Sequence, residues 1–289
     1  MRSLLKEINL TLISTVFMSS WLAIMPSAAT PPLGTHIKLS AIPNTCDLGG
    51  IRAKNGQRIR SGRLIRSAAL TKLSHHDKWV LNKQHHVKVV LDFRSIGEIH
   101  QAPDKKLTGS HYHRLSVMSD PNFGVHTTSQ YAAQLAAKQP NNMELFYQKM
   151  VLQSHSVKAY RAMFNYLLKQ KSGAVLYHCT YGKDRTGIAT MLILSSLGIP
   201  KATIMKNYLA SNKYLKATTT KEYKQMKHYT HNRKVLVNLK RSKTAHAAYL
   251  NAAYAAVYHR SGSMKHYLSH EMRLSKHDVQ LLRQMYLTK

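Results

Sequence analysis

The chain is poor in cysteine and in acidic residues. It has 2 cysteines among 289 residues, which excludes a disulfide scaffold and a zinc cluster built from several cysteines. It has 12 Asp and Glu residues against 43 Lys and Arg residues, which gives a formal charge of +31. Such an excess of positive charge attracts anionic partners. Wholesale disorder is also excluded, because the hydrophobic content is 44% and disorder combines high charge with low hydrophobicity. Length and composition predict one globular domain.

Long apolar runs are almost absent, which excludes a polytopic membrane protein. The exception is 8–25, which carries no charged residue, follows Arg2 and Lys6, and precedes the small residues 27–29. This layout is typical of a secretory signal peptide cleaved after about Ala29. Polar residues within the run make it a poor permanent membrane span. We therefore expect residues 1–29 to be removed, leaving a secreted or cell-surface protein without an integral membrane domain.

The remaining chain, 30–289, alternates predicted strands and helices and is expected to be a single domain. Short apolar runs at 87–92 and 174–178 predict buried strands, and 186–197 predicts a helix ended by glycine and proline. This pattern indicates an α/β fold with a central sheet and flanking helices. Residues 119–153 predict loop and short helical pieces. The very basic stretch 218–244 predicts a mobile, solvated segment.

The most informative segment joins a strand to a helix through the loop from Cys179 to Arg185. Five residues separate these two side chains. A loop between a strand end and a helix start turns backbone N–H groups inward and forms an anion-binding nest, and the helix start adds partial positive charge. Arg185 can grip two phosphate oxygens with its planar fork, while Gly182 allows the tight curl. The segment predicts a phosphate site with Cys179 beneath it.

Phosphoryl transfer to sulfur is the chemistry that this arrangement favours. The positive field stabilises the thiolate of Cys179, Thr186 can donate a hydrogen bond to the sulfur, and Gly187 lets the helix pack closely. Cys179 would attack phosphorus in line while an acid protonates the leaving oxygen, and the same group would then activate water. Arg185 and the loop amides would stabilise the transferring group. No metal or cofactor is needed. The alternative is a buried structural cysteine at a strand end.

Residues 178–187 resemble the signature of cysteine-dependent protein-tyrosine and dual-specificity phosphatases. The Gly-Lys-Asp-Arg-Thr-Gly form is similar to the atypical bacterial branch, whose members act on phosphotyrosine, on several phosphoamino acids or on phosphoinositides. Further segments that resemble the family lie at 44–50, 62–70, 91–95, 208–212 and 262–287. The resemblance implies a tyrosine-phosphatase-like central sheet with flanking helices and a helical lid at about 119–153.

The resemblance also implies a role for each loop residue. Cys179 would be the nucleophile, Arg185 the phosphate ligand and Asp184 the acid and base. Lys183 lies where related enzymes with a basic loop bind a second phosphate or a lipid headgroup. The loop residues implied to bind substrate are Thr180, Tyr181, Gly182, Lys183, Thr186 and Gly187.

Two other aspartates are alternative acids. Asp120 lies in a turn before proline, roughly where a mobile acid loop would be. Asp92 ends a predicted strand, so it is better placed to brace the phosphate loop than to transfer a proton.

The chain departs from the family pattern at two places. Thr45 and Cys46 stand where relatives have an aromatic residue and an arginine, and Tyr181 is bulkier than the usual small residue. If the Cys46 segment borders the site, Cys46 could form a reversible disulfide with Cys179 and protect it from over-oxidation. The alternative is an unpaired, packed cysteine.

The sequence therefore predicts an exported phosphomonoester hydrolase that acts first on phosphotyrosine. A phosphoinositide or inositol-phosphate phosphatase is the alternative among enzymes, and a non-catalytic, anion-binding cell-wall protein is the alternative from another class. Partners would be a phosphorylated protein or phosphoinositide and, through the surface charge, anionic cell-surface polymers. Adjacent histidines on a helix point apart, so they do not predict a metal site, and without a recognisable module the basic residues do not predict specific nucleic-acid binding.

Overall fold

A six-stranded mixed sheet forms the centre of the protein. The computed structural model describes residues 33–288. Its strands are β1 (Thr35–His36), β2 (Cys46–Asp47), β3 (Leu64–Ser67), β4 (Val87–Asp92), β5 (His111–Arg114) and β6 (Ala174–His178). Their order across the sheet is β1-β2-β3-β6-β4-β5. The β1–β2 and β2–β3 pairs are antiparallel and the others are parallel. The two buried strands predicted from the sequence are confirmed as β4 and β6.

Helices flank the sheet and make up most of the C-terminal half. They are α1 (His75–Trp79), which continues into a π-helical turn (Val80–Gln84), α2 (Ile96–Gln101), α3 (Thr128–Ala137), α4 (Asn142–Leu152), α5 (Ser154–Lys169), α6 (Arg185–Ser196), α7 (Lys201–Tyr229), α8 (Arg233–Lys243), α9 (Ala247–Ser261), α10 (Met264–His270) and α11 (Lys276–Tyr286). Within residues 33–288, none of them is both long enough and apolar enough to cross a bilayer. The predicted signal peptide, 1–29, lies outside the described residues.

The sheet is buried on both faces, which explains why β4 and β6 carry apolar residues on both faces. Successive side chains of a strand point to opposite faces. Ala174 and Leu176 of β6 therefore join the smaller core that the π-helical turn after α1 helps to cover, while Val175 and Tyr177 join the larger core shared with α4, α5, α6 and α9. The cysteine that follows β6 continues from the centre of this buried sheet.

Parallel pairing brings the C-terminal ends of three strands to one edge of the sheet. β6 is paired with β3 on one side and with β4 on the other, so Ser67, His178 and Asp92 lie side by side in register. In open α/β sheets, ligands bind beyond this edge. The loop that leaves β6 emerges at its middle.

The region predicted as a helical lid contains α3 and α4, but α4 is not a cover. Its Tyr147, Met150 and Val151 belong to the main core and are fully buried, and the helix packs against α9. An apolar face of this kind is fixed by the core. Only the loop before α3 and α3 itself remain as peripheral parts of the range, and Leu135 is the one buried residue in α3.

The prediction of a mobile segment at 218–244 differs from the structure, which shows the second half of α7 and all of α8 there. Met226, Val235 and Leu239 form a small core with Leu135 of α3. The side-chain amide of Asn238 also donates to the carbonyl of Leu135 at 2.8 Å. The helical spacing of a few apolar residues outweighs the high charge of this stretch, because one buried stripe is enough to attach a helix.

We predict that Leu239→Ala lowers the free energy of unfolding by about 2–4 kcal/mol, because it removes a buried side chain from this small core. Val237→Ala is the matched control, since Val237 lies on the same helix and is 41% exposed; it should cost about 0.5 kcal/mol or less. Hydrogen exchange of the α8 amides and denaturant unfolding measure both effects. Equal losses in the two variants would contradict the assignment of α8 to a packed face.

Candidate active site

The loop after β6 is curled tightly against the end of β3. Gly182 has a φ of +65°, in the left-handed region that glycine tolerates best. A Cβ added there would lie 2.3 Å from the carbonyl oxygen of Ser67. The position therefore accepts glycine alone, as the sequence predicts.

Three consecutive carbonyl groups of this loop point away from its centre. The Thr180 carbonyl accepts from the backbone N–H of Ala69 at 3.2 Å. The carbonyls of Tyr181 and Gly182 both accept from the side-chain amide of Asn44, each at 3.0 Å. Because N–H and C=O point in opposite directions across a trans peptide, the next N–H groups in the chain are turned inward.

A buried arginine also holds the loop from outside. Arg66 donates to the Gly182 carbonyl at 2.6 Å, and its other contacts are Asn207 at 2.7 Å and Ser211 at 3.1 Å, both on α7. Arg66 thus positions the phosphate loop through its outer surface, by way of both terminal nitrogens of its guanidinium. Nothing in the sequence around Arg66 indicates this role.

The inward N–H groups make an anion-binding nest. In the part of the chain that the structure describes, the backbone N–H groups of 180–186 donate to no protein acceptor. They surround the start of α6, where the helix contributes partial positive charge. Such a ring of free donors at a helix N-terminus suits a phosphate group.

Cys179 and Arg185 meet at this nest. Cys179 is 1% exposed, packs with the main hydrophobic core and directly precedes the loop, so its thiol is buried beneath the loop rather than on the rim. Burial opposes the charge of Arg185, but Glu98 and, more weakly, Cys179 and Asp184 raise the pKa of its guanidinium. The cysteine and the arginine therefore lie within electrostatic reach of each other.

Glu98 holds Arg185 in place, a role that was not predicted from the sequence. The guanidinium donates through Nη1 to Oε2 of Glu98 at 2.5 Å and through Nη2 to Oε1 at 2.9 Å. Nη2 also donates to the hydroxyl of Thr180 at 3.1 Å, and the guanidinium lies 5.3 Å from the ring centroid of Phe123. The buried Nε of Arg185 has no partner among the described residues, so this donor is left for an incoming anion.

The local sequence explains the position of Glu98. Ser95 caps α2, and Glu98 completes a capping box by accepting from the Ser95 backbone N–H at 2.9 Å. Burial raises the pKa of Glu98, but Arg185, Thr180 and Ser95 outweigh it and lower the pKa below its usual value. The Ser-x-x-Glu spacing of Ser95 and Glu98 is the sequence signal for this capping box.

Asp184 lies at the start of α6 beside the nest. Its Oδ1 accepts from the Tyr147 hydroxyl and from Lys183 Nζ, both at 2.7 Å. Lys183 is fully buried. The side chain predicted to bind a second phosphate is therefore directed at Asp184 instead.

Three other loop residues have distinct surroundings. Tyr181 donates to Glu222 at 2.9 Å and packs against Lys243, whose Nζ is 4.1 Å from the ring centroid, so it lines the side facing α7 and α8. The hydroxyl of Thr186 is buried without a partner in the described chain, so the predicted bond to the sulfur is not made here. A Cβ at Gly187 would lie 3.2 Å from the Tyr208 ring, which agrees with the predicted close packing.

The two alternative acids, Asp120 and Asp92, make no hydrogen bond or ion pair with the loop 179–185. Asp120 is exposed and accepts from the Asn122 N–H at 2.8 Å, as a turn residue does. Asp92 is buried and bound by Arg94 at 2.7 Å and by the Tyr112 hydroxyl at 2.8 Å. Although burial raises the pKa of Asp92, His178 and Arg94 lower it to about 2. It braces the end of β4, as the sequence suggested.

A group of metal-ligand type lies below the loop: Asp92, Asp104 and His178 bring ligand atoms within 4.8 Å of one another. Arg94 contacts both carboxylates, at 2.7 and 2.9 Å, and His178 Nε2 is 2.9 Å from Asp104. Burial lowers the pKa of His178, but the two aspartates outweigh it and raise the pKa. These cations already balance the carboxylates, so the group is an ion-pair network supporting the loop.

Cys46 and Cys179 are both free and buried, and the hypothesis of a disulfide between them does not fit. Cys46 pairs with Arg66, which pairs with Tyr177, so two strand spacings of roughly 4.8 Å each separate the cysteines. A disulfide requires Cα atoms within about 7 Å. Burial also raises the pKa of Cys46 to about 11, so its thiol is a poor nucleophile.

Comparison with known proteins shows the family to which the chain belongs. The family model described as "Tyrosine phosphatase family" matches residues 37–288, so the chain belongs to that family. A Cupriavidus necator protein named "Putative tyrosine-protein phosphatase" is 33% identical over 195 residues, covering 66% of this chain and 69% of its own. A Nostoc commune protein named "Tyrosine-protein phosphatase" is 33% identical over 153 residues, covering 52% of this chain and about half, 49%, of its own. The protein is a phosphatase of this family, and its α/β fold agrees with the predicted class.

We predict that Glu98→Gln lowers the free energy of unfolding by about 3 kcal/mol at neutral pH, because it leaves Arg185 buried without a charged partner. The pKa of Glu98 is lowered by folding, so its contribution is present above the unfolded value of about 4.3 and is lost as the pH falls through the folded value. The difference in free energy of unfolding between the wild type and Glu98→Gln should therefore become smaller below about pH 4. Denaturant unfolding at several pH values measures it.

Glu271→Gln is the matched control for this experiment. Glu271 pairs with Arg260 at 2.9 Å and with Arg161 at 3.9 Å, and its side chain is 21% exposed; such solvent-accessible pairs contribute about 1 kcal/mol or less. A loss in Glu98→Gln no larger than that in Glu271→Gln would contradict a structural role for the buried pair.

Proposed function

We propose that the protein is an exported phosphomonoester hydrolase that acts through a phosphocysteine intermediate, with phosphotyrosine as its first substrate class. The observation that carries the proposal is the loop 179–185. The backbone N–H groups of 180–186 have no acceptor in the described chain, and Arg185 is held within electrostatic reach of Cys179 with no partner for its Nε among the described residues. A phosphate dianion satisfies all these donors at once.

The proposed reaction has two steps. The Cys179 thiolate attacks phosphorus, an S–P bond forms and the P–O bond to the alcohol breaks, while Asp184 gives a proton to the leaving oxygen. A water molecule then attacks phosphorus, Asp184 takes its proton, and the S–P bond breaks to release phosphate. Arg185 and the loop amides stabilise the transferring group in both steps.

The depth of the site favours an aryl phosphate. Cys179 is 1% exposed, so the phosphate must be carried inward by a long group. A tyrosine side chain is longer than serine or threonine, and Phe123, whose ring centroid is 5.3 Å from the Arg185 guanidinium, offers an aromatic contact near the loop.

The inositol-phosphate alternative ranks second. Its main support in the sequence was Lys183, but this side chain is buried and bound to Asp184. What still supports it is Lys138, whose pKa is lowered by burial and by neighbouring Lys243 and Lys183. This ammonium group lies beside the site in a positive field, where a further phosphate would be attracted.

Export remains a proposal based on residues 1–29. Mass spectrometry of the protein recovered from culture medium and envelope tests it, with a new N-terminus after about Ala29 expected. Attachment to anionic cell-surface polymers is proposed from the +31 charge and should disappear at high salt.

We predict that the protein hydrolyses p-nitrophenyl phosphate in EDTA with a reductant. Cys179→Ser should lower kcat by three orders of magnitude or more, roughly the effect of losing a nucleophile, and Arg185→Lys should lower kcat/KM about 100-fold or more. Cys46→Ala is the matched control and should keep wild-type activity. Full activity in Cys179→Ser would defeat the mechanism, and no turnover by wild type would favour an anion-binding wall protein.

We also predict that phosphotyrosine peptides are hydrolysed with a higher kcat/KM than phosphoserine peptides and than phosphoinositides in vesicles. Parallel assays of phosphate release by the full chain measure the order. A higher kcat/KM on the inositol lipids would contradict phosphotyrosine as the preferred substrate class and would favour a phosphoinositide phosphatase.

A further inference from the structure

One oxygen of Asp184 is occupied by two donors. The Tyr147 hydroxyl and Lys183 Nζ both reach Oδ1 at 2.7 Å, and both donor side chains are fully buried. Oδ2 makes no hydrogen bond within the described chain, and the side chain of Asp184 keeps 16% of its exposure. The two carboxylate oxygens are therefore not equivalent.

The Tyr147 hydroxyl is itself held by a second buried tyrosine. Tyr208 lies on α7, with its hydroxyl 2.8 Å from that of Tyr147, and the two rings meet edge to face with centroids 6.0 Å apart. Tyr147 has a single hydroxyl hydrogen and donates it to Asp184, so Tyr208 is the donor in the bond between the two hydroxyls.

Tyr147 stays protonated in this environment. Burial, followed by the nearby charge of Asp184, raises the pKa of Tyr147 well above its ordinary value. Its hydrogen is always available to Oδ1, and an oxygen that accepts two such bonds has no room for a proton of its own. A proton carried by Asp184 must therefore occupy Oδ2.

We propose that Tyr147 is a positioning residue that confines proton transfer to Oδ2 of Asp184, with Tyr208 holding Tyr147 in place. The inference rests on the proposed function. In the first step, the proton on Oδ2 passes to the leaving oxygen as the S–P bond forms and the P–O bond breaks. In the second step, Oδ2 takes a proton from the attacking water as the new P–O bond forms and the S–P bond breaks.

The test compares aryl phosphates that differ in their need for an acid. Phenyl phosphate has a poor leaving group that needs a proton, whereas p-nitrophenyl phosphate has a good one that needs little help. Tyr147→Phe should lower kcat/KM for phenyl phosphate about tenfold, the factor expected for a hydrogen bond to a charged group. It should lower kcat/KM for p-nitrophenyl phosphate less than about twofold and leave inhibition by inorganic phosphate unchanged.

Two further variants separate positioning from packing. Tyr208→Phe should give a smaller loss with the same preference for p-nitrophenyl phosphate, since Tyr147 keeps its bond to Asp184. Tyr177→Phe is the matched control: Tyr177 is buried and its hydroxyl contacts Thr190 at 3.0 Å, away from Asp184, so it should not change the ratio between the substrates. Equal losses on both substrates, weakened inhibition by phosphate, or no loss in Tyr147→Phe would overturn the proposal.

Asp184→Asn distinguishes failure here from failure of the proposed function. If Asp184→Asn shows no selective loss on phenyl phosphate while Cys179→Ser is inactive, the roles of Asp184 and Tyr147 are overturned and the phosphocysteine mechanism stands. If Cys179→Ser is fully active, the mechanism itself has failed. A selective loss in both Asp184→Asn and Tyr147→Phe supports the proposal.

Discussion

The candidate site depends on three carbonyl groups being held outward. A loop of six or seven residues has many conformations, and only those that turn its N–H groups inward can hold an anion. Here the donors that fix the carbonyls come from distant parts of the chain, namely Asn44, Arg66 and the Ala69 backbone. The nest is thus a product of the whole sheet edge rather than of the loop sequence.

The few acidic residues of the chain are concentrated around this loop. Of 12 in total, five contact cations at or below the site; their pairs are Glu98 with Arg185, Asp184 with Lys183, Glu222 with Lys243, Asp92 with Arg94, and Asp104 with His178. A buried cation without a partner is costly. The surface can carry excess positive charge because water solvates it, whereas the interior cannot. This explains how so basic a chain folds around a site that itself needs positive charge.

The loop and the central strands could be predicted from the sequence because their signals are local. The bounds of β4 and β6 follow from β-branched and apolar runs, and the curl at Gly182 follows from residue type. Glu98 was missed because its partner is 87 positions away, although its capping box with Ser95 could be read. Arg66 and Tyr147 were missed for the same reason: nothing in their neighbourhood shows which distant backbone or carboxylate they contact.

The mobile segment predicted at 218–244 shows the limit of charge as a signal. Charged residues lie on the exposed side of a helix, whereas packing of the helix against the rest of the protein depends on a few apolar residues on its other side, such as Met226 and Leu239. The same distinction applies to Lys183. In the sequence it adds to the positive charge of a phosphate loop, but in the structure it is buried against Asp184. Its ammonium group therefore acts on the carboxylate that borders the nest, and the positive field at the nest comes from Arg185 and the helix N-terminus.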